Sequence, residues 1–321
     1  MKVICPKCNR IGYLQIRRKK VKNKIYTYYV VNHVNQTHYI SKFDRLHVIY
    51  GKKFSDEYMK VIPFFGSLTY ILPIIYKNIP PHEIFVDVFG GSGVVLLNKS
   101  PSKREIYNDK SKDMYNLFVC LRDHNKQLIE KFKYMIHSRE LYNEIKHELL
   151  QKPCNPPDID RAAKYLAWLC LCHDAIPRIG HAGFKVEKLK SSTRDLMINL
   201  VLSRLPKLIN RLKRVIIENL DFRHCIQLYD SENTFFFLDP PHFGQENLYD
   251  CNFSMKDHED LAKILHNIRG KFMLIYSYRT EQQRKWIYDN YGQYNIIEFE
   301  YKTHTHQKIR HTKIYMMITN Y

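Results

Sequence analysis

Apolar residues along this chain fall into two patterns. Some form short unbroken runs, such as Ile84-Phe85-Val86-Asp87-Val88-Phe89 and Thr234-Phe235-Phe236-Phe237-Leu238. Runs of that length and composition predict buried strands. Glu105-Ile106-Tyr107, Val215-Ile216-Ile217-Glu218 and Lys271 to Tyr276 read the same way. Elsewhere apolar residues recur at helical spacing. After the capping-box sequence Ser254-Met255-Lys256-Asp257 come Leu261, Ile264, Leu265 and Ile268, and Gly270 reads as the end of that helix. Strands alternating with helices predict a parallel α/β sheet. A long helical block, about residues 120–214, separates two of the strands and reads as an insertion into the sheet. Within it, Lys152-Pro153-Cys154-Asn155-Pro156-Pro157 reads as a helix–helix linker, and His173 to Gly183 as a loop.

The first 43 residues differ in kind. Tyr26-Thr27-Tyr28-Tyr29-Val30-Val31 predicts a strand, but the segment holds too few apolar residues to fold without a staple. We therefore expect a small β-rich module over 1–43 and a second domain over 44–321 that contains the helical insert.

Composition narrows the class. With 45% hydrophobic residues, 17 Phe and 24 Tyr, the 321-residue chain can bury a large core, which excludes a disordered chain or a disulfide mini-scaffold. No apolar run approaches the ~20 residues of a membrane span. Met1-Lys2-Val3-Ile4-Cys5-Pro6 lacks a signal-peptide apolar region. A soluble, cytoplasmic protein is expected. The net charge is +19, and residues 1–43 hold ten Lys and Arg, among them Arg17, Arg18, Lys19 and Lys20, with no acid. Basic charge so concentrated suits a polyanion such as nucleic acid; the plain alternative is a merely basic surface.

Two segments carry candidate chemistry. Phe89-Gly90-Gly91-Ser92-Gly93 joins a strand to a helix, where glycines let the backbone approach a ligand beside the positive helix end. Asp109, at the tip of the next strand, is placed to hold ribose hydroxyls, so an adenosine-containing cofactor is expected. In Asp239-Pro240-Pro241-His242 two prolines stop a buried strand and hold the Asp239 carboxylate and the Pro240 carbonyl at its C-terminal end. Two fixed acceptors can take both hydrogens of an exocyclic amine. That frees its lone pair, and a following aromatic can stack on an extruded base.

These segments resemble the Dam-like DNA adenine-N6 methyltransferases. The likeness runs, in family order, through Pro63-Phe64-Phe65-Gly66-Ser67, Val86 to Gly93, Ile106-Tyr107-Asn108-Asp109, Ile217 to Phe222, Leu238 to Pro241 and Ile318-Thr319-Asn320-Tyr321. It implies a class I methyltransferase, that is a Rossmann-like sheet with a helical target-recognition insertion; the small β-rich N-terminal module separately resembles a zinc ribbon. It implies S-adenosylmethionine as cofactor, held by Phe65, Gly66, Ser67, Phe89, Gly90, Gly91, Ser92 and Gly93, by Asp109 on the ribose and by Asp221 and Phe222 on the adenine, with Asp239 alongside. It implies catalysis by Asp239, Pro240, Pro241 and His242 on an adenine flipped from double-stranded DNA, and DNA contacts from Arg178 and His181. A restriction nuclease is a candidate partner of such an enzyme; no membrane role is implied.

The chain departs from the family at two points. His242 stands where a stacking tyrosine is usual, and Leu68 where a lysine is usual. These leave open a DNA-binding relative without catalysis, or a methyltransferase acting on RNA. Pro153-Cys154 and Glu218-Asn219 faintly copy cytosine-C5 methyltransferase motifs, but that reading leaves Asp239-Pro240-Pro241 unexplained. His173, Asp174 and His181 read as a polar loop rather than a metal site. Finally, Cys5-Pro6-Lys7-Cys8 is half of a tetrahedral zinc site, and His33 and His38 are the candidate remaining ligands. The hairpin between them would add phosphate contacts without reading sequence.

Overall fold

The structure is a computed structural model. It describes residues 62–186, 193–302 and 312–321, residue 58, and five strands of the N-terminal segment. The chain divides into two compact units, Met1–Tyr58 and Met59–Tyr321.

The first unit is an antiparallel sheet of β1 (Lys2–Ile4), β2 (Ile11–Val21), β3 (Lys24–Asn32), β4 (Thr37–Ile40) and β5 (His47–Val48), in the order β4-β3-β2-β1-β5. Arg17 to Lys20 lie along β2, in register with Tyr28 to Ile25 of β3. His38 lies on β4, paired with Val31. Cys5, Cys8 and His33 lie outside the described residues.

The second unit is built on seven strands: β6 (Ile84–Asp87), β7 (Arg104–Asn108), β8 (Val215–Glu218), β9 (Thr234–Leu238), β10 (Lys271–Tyr278), β11 (Asn295–Lys302) and β12 (Thr312–Thr319). Their order is β8-β7-β6-β9-β10-β12-β11. Strands β6 to β10 pair in parallel, and β12 inserts antiparallel between β10 and β11. The order reverses between β6 and β9, because the chain builds outward to β8 and then returns. At such a reversal the connections leave in opposite directions and open a crevice at the strands' C-terminal ends.

Buried apolar residues dominate the central strands β6, β9 and β10. All of β9 is buried. Phe236 and Leu238 pack with Val86, Ile106, Leu274, Phe222, Leu261 and Leu265 in one core. Burial of each such side chain contributes ~1.5–3 kcal/mol. The helix Met255–Leu265 begins with the expected capping box: Ser254 Oγ accepts from the Asp257 amide, and Asp257 Oδ2 accepts from the Ser254 amide at 2.6 Å. It ends at Leu265, before Gly270. Gly270 instead leads into β10: its amide donates to Asp230 Oδ1, and a Cβ there would lie 3.0 Å from both the Phe236 ring and the Thr234 carbonyl. Close packing, not helix termination, accounts for that glycine.

Between β7 and β8 the chain is helical, with helices Lys112–Asp123, Asn125–Lys133, Arg139–Gln151, Ile159–Leu171, Thr193–Asn199 and Leu205–Leu212. Lys152–Asp158 connects the third to the fourth. Ile159–Leu171 is the central one; Ala162, Ala163, Tyr165, Leu166 and Trp168 are buried. Arg161 on this helix forms a two-point ion pair with Asp113, at 2.5 and 2.9 Å.

Candidate active site

An open cleft of about 980 Å³ lies over the C-terminal ends of β6, β7 and β9. Its floor is the glycine turn. A Cβ on Gly90 would lie 2.3 Å from the Tyr107 ring, which stacks on Phe118 at 4.0 Å and donates its hydroxyl to the Gly91 carbonyl at 2.7 Å. No larger residue fits there. Gly93 has φ +67° and precedes a helix of five residues, Val94–Asn98. A helix so short contributes little dipole, so what the turn can offer a ligand is its shape and its amides. One of those amides is already engaged: Gly91 N–H donates to Asp109 Oδ2 at 2.8 Å, while Ser111 N–H donates to Oδ1 at 2.8 Å. Asn108 ties the neighbouring loops together, donating to the Val88 and Leu220 carbonyls and accepting from the Leu220 amide.

The electrostatics of the cleft oppose those of the chain. Among the described residues, four aspartates line it, Asp87, Asp109, Asp239 and Asp250, against one cation, Lys110. Lys110 is itself paired with Asp221 at 2.9 Å. Asp87 is 2% exposed, and burial, then Asp239 and Asp109, push its carboxyl well above the ordinary range. Burial raises Asp109 to about 6, against the two amide hydrogen bonds. Asp250 is raised to about 7, first by the protein packed around its carboxyl and then by Asp113, although the residue keeps exposed surface. A site that collects acids without compensating cations is suited to a positively charged ligand.

Aromatic rings gather at two places in the lining. Phe89, Phe222 and Phe253 form a triangle with centroids 5.6–5.7 Å apart. Phe64 and Phe65 face Tyr249, with centroids at 6.5 and 6.3 Å.

Residues 64–305 match the family described as D12 class N6 adenine-specific DNA methyltransferase. The chain belongs to that family. The methyltransferase thus acts on adenine N6 of DNA. A comparison with curated proteins gives no match. Among solved structures, it is similar to precorrin-8w decarboxylase of Methanobacterium thermoautotrophicum (13% identity, 83% of this chain and 98% of that chain, TM-score 0.35). It is also similar to precorrin-6y C5,15-methyltransferase of Geobacter metallireducens (8% identity, 84% and 96%, TM-score 0.35).

The methyltransferase brings many of the sequence-predicted residues together. Phe65, Gly66, Ser67, Phe89, Gly90, Gly91, Ser92, Asp109, Phe222, Asp239 and Pro241 all line the cleft. Others stand apart from that lining. Gly93 packs beneath the turn, where a Cβ would meet Leu97 and Phe118. Asp221 caps the helix Phe222–Tyr229 and pairs with Lys110 and Arg223. Pro240 is buried. His242 is 7% exposed, with its ring against Tyr315 and Tyr276 at 6.1 and 6.5 Å and its Nε2 3.7 Å from Asp239 Oδ1. Leu68, at the place of the family's usual lysine, is buried in the lining.

Sequence reasoning missed Tyr249, Asp250 and Phe253 as site residues of the methyltransferase. Phe253 had a local signal, since it immediately precedes the N-cap Ser254 and packs on His258 in the first turn, at 4.7 Å. Tyr249 and Asp250 had none; a turn rich in polar residues brings them back over the cleft.

The remaining candidates separate cleanly. Burial raises the Cys154 thiol to about 12, so it stays protonated and is no nucleophile. His173 and Asp174 are exposed and lie 3.2 Å from each other, and no group of three or more metal-binding side chains occurs among the described residues. His181 is exposed, and Arg178 is half-buried beside the cleft wall formed by Pro177. No helix among the described residues is long and apolar enough to cross a membrane.

Proposed function

We propose that the chain transfers a methyl group from S-adenosylmethionine to N6 of an adenine extruded from duplex DNA. One observation carries the reading: an acid-lined cleft lies at the sheet's reversal point, with an aromatic cluster in its lining and Asp239 among its acids. The residues present fit the cofactor, because Asp87, Asp109, Asp239 and Asp250 suit its two positive charges and the Gly90–Gly91 turn, close-packed on Tyr107 and Phe64, lies in the same lining. Bound there, S-adenosylmethionine supplies an electrophilic methyl group on a sulfonium.

The chain's own residues do the rest. Asp109, whose carboxyl burial raises to about 6, stands at the tip of β7, placed for ribose hydroxyls. Phe222, with Phe89 and Phe253, offers the purine an apolar surface, and Asp221 rigidifies the start of the helix that carries Phe222. Asp239 and the Pro240 carbonyl accept the two N6 hydrogens, which directs the nitrogen lone pair at the methyl. After transfer the amine has one proton too many, and Asp239 is the adjacent carboxylate able to take it. The helical insert would read the DNA through its exposed loop near His181.

The N-terminal sheet supports a second, separate part of the reading, a zinc site at Cys5, Cys8, His33 and His38. Strand β1 ends, β2 begins, β3 ends and β4 begins at the same end of that sheet. His38, on β4, lies at that end, and a tetrahedral zinc needs four such nitrogen or sulfur ligands. Metal analysis of the purified chain tests this: about one zinc per chain is expected, lost on Cys5→Ser with Cys8→Ser.

The principal test is transfer of label from S-adenosylmethionine to mixed-sequence duplex DNA, followed by digestion to nucleosides. Label in N6-methyladenine is expected. Label only in RNA, or cofactor and DNA binding without transfer, would replace the proposal with the alternatives that His242 and Leu68 leave open.

A further inference from the structure

We infer that Tyr249, not His242, supplies the aromatic face against which the target adenine rests, and that Arg178 is a positioning residue holding Tyr249 in place. This rests on the function proposed above. His242 follows the two prolines, but it is buried with its ring against Tyr276 and Tyr315 and takes no part in the cleft lining. Its Nε2 lies 3.7 Å from Asp239 Oδ1, so it bears on the orientation of that carboxylate.

Seven residues on, Tyr249 returns to the cleft. It joins Phe64 and Phe65 in the lining that Asp239 shares. This group is distinct from the Phe89–Phe222–Phe253 triangle. Methyl transfer between two purine-bearing partners calls for two such surfaces, and the cleft has two. Burial, then the nearness of Asp239, raises the Tyr249 phenol, so the ring stays neutral at any working pH. Tyr249 is also packed close to the turn that precedes it in sequence: a Cβ on Gly66 would lie 2.9 Å from its hydroxyl.

The helical insert holds the chain on both sides of Tyr249, through backbone carbonyls before it and the Asp250 side chain after it. Arg178 donates its amide to the Leu248 carbonyl at 3.3 Å and Nη1 to the Asn247 carbonyl at 3.1 Å. The Ile179 amide donates to Asp250 Oδ1 at 3.3 Å. The same loop fixes the opposite aromatic wall, because the Ala175 carbonyl accepts from the Phe65 amide at 2.9 Å. Asp174 and Ala175 both adopt φ above +50°, a conformation L residues rarely keep unless their surroundings impose it. A loop of the insert thus organises both sides of one subsite. Engagement of DNA by the insert would be felt directly at the base pocket.

The test begins by mapping which adenines the wild-type chain methylates. A duplex with 2-aminopurine at the mapped position then reports base extrusion by fluorescence, alongside kcat, DNA KM and cofactor Kd. Tyr249→Ala and Tyr249→Leu are expected to lower kcat/KM by about ten- to a hundredfold and to diminish the fluorescence rise. Cofactor Kd should stay within about threefold, because the other aromatic group faces that ligand. Tyr249→Phe should recover most of the loss. Arg178→Ala is expected to lower kcat while the dependence of DNA affinity on salt stays the same. A phosphate contact would instead reduce that slope by about one unit. The inference is overturned if Tyr249→Ala weakens the cofactor and spares extrusion, if it behaves like wild type, or if Arg178→Ala flattens the salt dependence. If wild-type chain makes no N6-methyladenine, the proposed function falls together with this inference.

Discussion

Strand β7 carries a carboxylate near each end, and the two are treated in opposite ways. Glu105, 3% exposed, is enclosed by Lys99 at 2.6 Å and Arg211 at 2.5 Å. Burial raises its pKa, but these two partners outweigh it and the net shift is downward. Asp109, at the other end, meets only backbone amides, and burial takes it up to about 6. One acid is compensated by the protein's own cations and holds the base of the sheet together. The other is left short of positive charge at the mouth of the cleft. In the proposed reading, stability and binding belong to opposite ends of one strand.

Breaking the compensated end should have the largest effect. Glu105→Gln leaves Lys99 and Arg211 buried without their counter-charge, and we expect a loss of about 3 kcal/mol, read by urea denaturation, with cofactor Kd unchanged. An equal loss in Kd would mean that the two ends are coupled. Asp109→Asn should do the reverse. Cofactor affinity should fall about tenfold, a change of one pKa unit in free energy, while resistance to urea at pH 7.5 stays level or rises. A strongly destabilised variant would show that the carboxylate is structural.

The pH dependence sharpens the contrast. Folded Asp109 keeps its proton up to about 6, but the unfolded chain loses it near the ordinary 3.8. The folded state binds more protons between those values, so this group's contribution to stability falls as pH rises through them. Glu105 has a lowered folded pKa, so its contribution is complete above its unfolded value and is lost as pH falls. A cationic cofactor prefers ionised Asp109, so its Kd should improve several-fold from pH 5 to 7. Calorimetry in buffers of different ionisation heat should register proton release on binding, and Asp109→Asn should lose most of both effects. The smallest expected change is at His242→Tyr. The larger ring has to fit among Tyr276 and Tyr315, so we expect about 1 kcal/mol of destabilisation and no gain in methyl transfer. A large gain would restore position 242 as the stacking site.

Much of the cleft was legible because its parts are local. The runs before Gly90 and Asp239 announce their strands, and Gly90-Gly91-Ser92-Gly93 and Pro240-Pro241 announce sharp turns that end them. Each signal lies within about six residues of the group it positions. The side of the cleft built by Tyr249, Asp250 and Pro177 was not legible. Its pieces meet through bonds such as Arg178 to Asn247 and Ile179 to Asp250, 69 and 71 residues apart in sequence. His242 shows the converse. Its place after the prolines suggested a stacking ring, but packing against β10 and β12 turned that ring into the interior.

The amino-acid sequence by itself determined β6 to β10, the insertion between β7 and β8, the glycine turn and the acid at the end of β9, whereas β11 and the antiparallel β12 were not read from it. Those features depend on local backbone preference and on the period of apolar residues, which neighbouring residues settle among themselves. Only the tertiary structure decided which acids are compensated, which aromatic rings face the cleft and which face the core. Those outcomes depend on what packs around each side chain, and at Glu105 that is a guanidinium 106 residues away in sequence.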